Sequence, residues 1–321
     1  ACLAYCLSGK LLHIFLVQKD EMERYDSKYF QVAPLLIASL FATHPINTEA
    51  VFWIASRADL VGIFFYLLTI YFYLRFFETK ENKFKLASLA AFILGLLSKE
   101  VCVTVPFVIS LIYASRAIQQ KKNFKEIILK SFFETKLFWF TALGYLTIRA
   151  IALKTLIGGY VGSTAYILNS TILERLLIPQ TLWKIVYPIN SDLYFLNPVF
   201  DPEPILRFLY LAIGILVFIN IISRSIKKRM KLALGCLLWY FVLVAINLQV
   251  WGVSDSLGGS RIIYIFLFPL LTALTLLVMP IPYVKSNSFA FKMSAFFLAA
   301  FAAVFVYLSN LNSEAWVIAS K

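Results

Sequence analysis

Runs of about 15–20 apolar residues, parted by short charged segments, fill this chain from end to end. Runs of that length can enter or cross lipid. Lipid offers no water to a bare backbone, so only helices and closed barrels span it. A barrel needs alternating apolar and polar residues, and no such period-2 pattern is present. The expected fold class is therefore all-α, a polytopic helical membrane protein. Composition agrees: 61% of the residues are apolar and the mean hydropathy is +0.80, against about half apolar in a soluble domain.

About ten spans are expected, at 1–17, 30–44, 58–76, 85–99, 101–117, 137–154, 205–223, 232–249, 262–279 and 290–309. The net charge of +13 would suggest nucleic acid in a soluble chain. Here the basic residues concentrate in alternate loops, so the positive-inside rule accounts for them and no nucleic-acid partner is expected. Loops at 19–28, 75–85, 116–136, 224–231 and 285–292 hold twenty Lys and Arg residues. The intervening loops and the chain end hold nine, among them Arg57, Lys99, Arg149, Lys154, Arg175, Lys184 and Arg261. The first set is read as cytoplasmic. Segments 44–59, 99–101, 154–204, 249–261 and 309–321 then open to the other side. The stretch 154–204 is too long for a turn. Its apolar part, 169–186, fits an interfacial amphipathic helix anchored by Trp183 and Tyr187. No segment outside the membrane is long enough to fold alone, so 1–321 reads as one transmembrane domain.

Residues 44–59 bring His44, Glu49, Arg57 and Asp59 together between two apolar runs. An ionised group at the bilayer centre costs roughly 2.5–3.5 kcal/mol on insertion scales. The insert must therefore reach water or line a wet cavity. A helix over 48–58, capped by Asn47 or Thr48, would put Glu49, Phe52, Trp53 and Ser56 on one face with Arg57 at its rim. A solvated surface loop would carry the same charges. Ser98-Lys99-Glu100 joins two spans on the same side. Neighbours on a helix do not face each other, so Lys99 and Glu100 should find different partners, one of them in 44–59. Arg149 near the end of its span, and Arg261 with Tyr264 one turn on, add cations at the same depth. Singly they read as snorkelling anchors; together they suit an anion such as a lipid phosphate or diphosphate. The histidines and the cysteines Cys2, Cys6, Cys102 and Cys236 lack metal-ligand spacing, so no structural metal is expected. No Walker loop, GxSxG elbow or HExxH is present.

The run His44-Pro45-Ile46-Asn47-Thr48-Glu49-Ala50-Val51, with Trp53 and Arg57-Ala58-Asp59-Leu60, closely resembles a motif of the transmembrane and tetratricopeptide-repeat O-mannosyltransferase family. These are GT-C glycosyltransferases with bacterial relatives. Ser98-Lys99-Glu100 with Thr104 and Pro106 is similar to a second signature of that family, Arg261 with Tyr264 to a third, and Tyr187-Pro188 with Asp192 and Tyr194 to a fourth. Asn312 and Trp316 look like the family's exit from its last span. The chain departs from the family in four places. The first span, and the external loop that carries the family's acidic catalytic residue, have no counterpart. The repeats are absent, Ile262 stands where an aromatic is usual, and Pro269 is displaced. An N-terminally incomplete chain, beginning in the family's second span, is the expectation.

The resemblance implies a GT-C-like fold and a membrane glycosyltransferase. It implies transfer of mannose or a similar sugar from a polyprenyl-phosphate donor to a protein Ser or Thr hydroxyl. Glu49 would be a positioning acid supported by Asp59 and Arg57, with His44, Lys99, Glu100 and Tyr264 lining the site. Arg149 and Arg261 would hold the donor phosphate. No cofactor is implied with certainty, and whether a divalent metal takes part is left open. The implied partners are membrane lipid, the lipid-linked sugar, an acceptor protein and, as a further option, a larger membrane complex. A bacterial inner membrane with the site outside is the expected location; an ER membrane with a lumenal site is the alternative. The rival reading is a non-catalytic scaffold or transporter subunit, since intramembrane charge also marks transport paths.

Overall fold

The computed structural model describes residues 1–16, 26–52, 54–119, 124–153, 209, 213, 227–250, 260–280 and 288–319. Every regular element among them is helical. In chain order these are α1 (Cys2–Leu16), α2 (Tyr29–Thr43), α3 (Asn47–Phe52), α4 (Arg57–Thr79), α5 (Asn82–Ser98), α6 (Val105–Gln119), α7 (Phe124–Leu153), α8 (Lys227–Val250), α9 (Ser260–Val278) and α10 (Phe289–Ala319). Short 3-10 turns at Ile54–Ser56 and Glu100–Thr104 precede α4 and α6. These helices match nine of the expected spans to within a few residues, except at the start of α7 and the end of α10. The α7 helix begins thirteen residues before the expected 137 because its early turns are polar yet helix-forming, with Glu126 and Lys130 paired four apart. The expected span at 205–223 and the segment 154–204 lie outside the described residues, apart from the buried Leu209 and Ile213. Among the described residues, two helices are long and apolar enough to cross a membrane, Arg57–Thr79 and Phe289–Leu311, and five shorter apolar helices accompany them.

The chain divides into two compact units. The first comprises Ala1–Ser56, Pro179–Leu237 and Ser256–Lys321. In it α2 packs against α1, α9 and α10. Tyr29, Ile37, Leu40, Phe266, Phe268 and Leu298 are buried there. Pro34 sits inside α2 and Pro269 inside α9; neighbouring helices make interior prolines tolerable in such bundles.

The second unit comprises Arg57–Ile178 and Leu238–Asp255. Its α4 and α5 form an antiparallel pair turning at Lys80, whose φ of 60° is the left-handed cap that ends α4. Hydroxyls tie its helices together. Ser88 donates to the Thr69 carbonyl at 2.8 Å, linking α5 to α4. Ser131 donates to the Ser110 carbonyl at 2.8 Å, linking α7 to α6. The Ser110 and Thr135 hydroxyls lie 2.9 Å apart, and Trp139 donates to Ser110 at 3.2 Å. Such bonds matter where lipid removes the hydrophobic drive between helices. Leu86, Leu97, Phe140, Leu143, Ile148 and Ile151 are exposed on the outside of this unit. Water would penalise that apolar surface; hydrocarbon would not.

Candidate functional site: two ion pairs at a helix junction

Asp59, Lys99, Glu100 and Arg149 of the second unit form two ion pairs where α4 begins and α5 ends. Arg57 opens α4 and is exposed, while Asp59 lies in the helix's first turn, where a carboxylate favours the helix dipole. The α5 helix stops at Ser98, and Lys99 takes an extended backbone, φ −153°. The bend turns Lys99 back onto α4, and its Nζ lies 2.7 Å from Asp59 Oδ1. Only 7% of the Asp59 side chain is exposed, so this pair is largely withdrawn from solvent. Space for it comes from Gly62: a Cβ there would lie 2.6 Å from the Lys99 Cβ. Cys102 closes the same corner, donating its thiol to the Gly62 carbonyl at 3.5 Å.

Glu100 points elsewhere. Its Oε1 stands 4.0 Å from Arg149 on α7, and both side chains are partly exposed. Arg149 also donates to the Tyr145 hydroxyl at 3.3 Å, one turn earlier. The sequence expectation of separate partners for Lys99 and Glu100 therefore holds, and the partner of Lys99 does come from residues 44–59. Tyr145 went unnoticed in the sequence; its spacing four before Arg149 was the available signal. Below these pairs Trp239 donates to the Tyr66 hydroxyl at 3.2 Å, which lies 3.1 Å from the Thr104 hydroxyl. An apolar groove of about 360 Å³ runs between α6, α7 and α8, lined by Phe107, Leu111, Phe132, Trp139, Trp239 and Val242 among others.

In the first unit, residues 44–48 form a hydrogen-bonded knot. His44 is buried, and its Nδ1 accepts the Ile46 N–H at 3.2 Å, which leaves the proton of the neutral ring on Nε2. Its ring meets Phe305 edge-on at 4.5 Å. The Asn47 side-chain amide donates to the Phe41 carbonyl at 2.5 Å, and Thr48 donates to the Pro45 carbonyl at 2.7 Å. Ser309 of α10 donates to the Thr43 carbonyl at 2.8 Å. Tyr264 stacks on Phe41 at 5.1 Å.

One expectation is corrected here. Residues 48–58 are not a continuous helix: α3 ends at Phe52, and a 3-10 turn leads into α4. Asn47 does not cap this helix: it is the first residue of α3, its amide donates to the Phe41 carbonyl, and its Oδ1 accepts no hydrogen bond. Arg57 accordingly starts a new helix, not the rim of an old one. Glu49 lies in α3 and Arg261 in α9, but their side chains fall outside the described residues, as do those of Asn312 and Trp316. Arg175, Lys184, Trp183, Tyr187, Pro188, Asp192 and Tyr194 also lie outside them. His44 and Tyr264 belong to the first unit; Arg57, Asp59, Lys99, Glu100 and Arg149 belong to the second. Among the described residues no cluster of three His, Cys, Asp or Glu could hold a metal.

Fold and site together describe an all-helical chain, with helices fit for a membrane and paired charges at a helix junction. Protein O-mannosyl-transferase Tmtc2 of Drosophila melanogaster is 41% identical to this chain over 92 residues, which is 27% of the chain and 10% of that protein. The chain thus meets about a tenth of its curated relative's length. The likeness is partial, and it links the chain to glycosyltransferase-like membrane proteins at a coarse level. No protein-family profile and no solved structure matches.

Proposed function

We propose that this chain is the transmembrane core of a GT-C-type glycosyltransferase, a polytopic domain of about ten spans. It moves mannose or a similar sugar from a polyprenyl-phosphate donor to a Ser or Thr hydroxyl on the non-cytoplasmic face. The observation that carries this reading is the cation–carboxylate junction of Asp59, Lys99, Glu100 and Arg149, where three helices meet. The partial likeness to an O-mannosyl-transferase agrees with it.

The chemistry required is modest. A carboxylate takes the proton of the acceptor hydroxyl, whose oxygen attacks the anomeric carbon. The bond from that carbon to the phosphate oxygen breaks, and the leaving oxygen keeps the electron pair. Cations stabilise the charge that builds there. Arg149, with donors beyond those used by Tyr145 and Glu100, is the candidate for that task that the geometry supports, and the family resemblance offers Arg261 as a second. The family resemblance gives Glu49 the positioning of the acceptor or sugar, and gives supporting roles to His44, Arg57 and Tyr264. Lys99 is engaged by Asp59, so this couple shapes the junction and keeps Glu100 in place. The apolar groove beside α7 suits a prenyl tail.

The test is transfer in vitro by the full-length protein, with defined polyprenyl-phosphate sugars and a Ser/Thr-containing peptide. Arg149→Ala and Arg261→Ala should each weaken donor use at least about tenfold. Transfer unchanged in both variants rules out the phosphate assignment. Retained binding of the lipid-linked sugar with no transfer to any acceptor would favour a scaffold.

A further inference from the structure

The two ion pairs at the junction of α4 and α5 differ in kind. Asp59 and Lys99 close to 2.7 Å, with 7% of the carboxylate side chain exposed. Arg149 and Glu100 stand 4.0 Å apart, with side chains 20% and 24% exposed. Attraction falls with distance and with dielectric, so the second pair is weaker on both counts. A guanidinium has five N–H donors, and at 4.0 Å Glu100 makes no short hydrogen bond to it. Arg149 is therefore open to a better anion, and any anion that reaches it also comes close to the Glu100 carboxylate.

That proximity sets a rule for charge. A phosphodiester carries one negative charge, whereas a phosphomonoester carries about 1.5 to 2 near neutral pH. The attraction of Arg149 grows with ligand charge, and so does the repulsion from Glu100. With the cation neutralised by a neighbour of opposite sign, the extra charge of the monoester gains little and is pushed away. We propose that Glu100 is the charge-discriminating residue of a phosphate subsite on Arg149, one that accepts a phosphodiester and rejects a phosphomonoester. The inference rests on the reading of Arg149 as a phosphate holder and extends it to product release. A lipid-phosphate sugar is a diester. When its sugar leaves for the acceptor oxygen, the lipid phosphate that remains is a monoester with one more negative charge. The carboxylate that tolerates the donor thus helps to expel the spent lipid.

Binding can be measured without turnover. The full chain in detergent is titrated with geranyl phosphate and with its ethyl ester, and in parallel with ethyl phosphate and diethyl phosphate, at about pH 8 where monoesters are dianions. In the wild type the diester should bind at least as well as the monoester. Glu100→Gln should strengthen monoester binding about tenfold or more and diester binding only a few-fold, the size of effect a nearby unit charge exerts. Glu100→Ser should do the same by a different side chain, and Glu100→Asp should keep the wild-type preference. Discrimination within the prenyl pair alone assigns the subsite to lipid phosphate; the same ratio in both pairs assigns it to phosphate esters generally. An unchanged ratio in Glu100→Gln and Glu100→Ser, with Arg149→Ala still abolishing binding, overturns this inference and leaves the phosphate role of Arg149 standing. Binding by Arg149→Ala equal to wild type overturns both.

Discussion

Gly62 has no side chain because Lys99 leaves no room for one. A Cβ there would sit 2.6 Å from the Lys99 Cβ, closer than unbonded carbons approach, and the Lys99 backbone nitrogen lies only 3.6 Å away. The Gly62→Ala variant should therefore cost about 1–3 kcal/mol, the usual penalty of overpacking, read as a lowered unfolding midpoint in detergent. It should also drive Lys99 away from Asp59, leaving a nearly buried carboxylate poorly compensated. A midpoint unchanged from wild type would mean that the chain bends more readily at Lys99 than its packing implies. Gly95 serves the same corner from α5, since a Cβ there would meet the Cys102 sulfur at 3.0 Å. Neither glycine stands out in the sequence. What makes them necessary is the return of 99–102 onto α4, a tertiary event that local pattern does not encode. Lys99 and Glu100, by contrast, were legible as a pair with divergent partners, because adjacent residues cannot share a direction.

Hydroxyl bonds join helices in the second unit alongside its aromatic contacts, such as those of Phe138 with Tyr73 and Phe92. Ser131 of α7 donates to the Ser110 carbonyl of α6, while Trp139, Ser110 and Thr135 continue the chain of bonds. Removing one such bond between membrane helices costs about 0.6 kcal/mol on average and about 1.7 at most. Ser131→Ala should fall in that range by thermal unfolding, and Ser110→Ala should cost more because it strands the Trp139 N–H, while Thr135 keeps its bond to the Ser131 carbonyl. If the two variants are equal, the network is no more than its separate bonds. Where helices lie was readable from apolar runs, and boundaries such as Tyr29–Thr43 for 30–44 came within a residue. The break after Phe52 was not. Residues 48–58 have a sound amphipathic pattern, yet α3 stops at Phe52 and a 3-10 turn carries the chain into α4.

For the chain as a whole, the alternation of charge along the sequence makes the strongest claim. Twenty basic residues fall in one set of loops and nine in the other, and the positive-inside rule assigns the first set to the cytoplasm. Alkaline phosphatase fused after residue 122 should therefore be inactive in a bacterial host, and the same enzyme fused after residue 155 should be active. The reverse result would invert the proposed face of the site. Exposed apolar side chains from Leu86 to Phe289 are consistent with lipid contact along several helices.

Hydropathy and charge along the chain were enough to define an all-helical protein and to place most of its helices. Those properties are local: a helix needs only its own period, and a polar insert is conspicuous wherever it falls. Tertiary structure alone decided which charges meet. Asp59 binds Lys99 across forty residues, and Glu100 stands off Arg149 across forty-nine. One carboxylate is thereby committed and the other left open to exchange. That difference arises from 2.7 Å against 4.0 Å and from unequal exposure, and no sequence spacing carries either quantity.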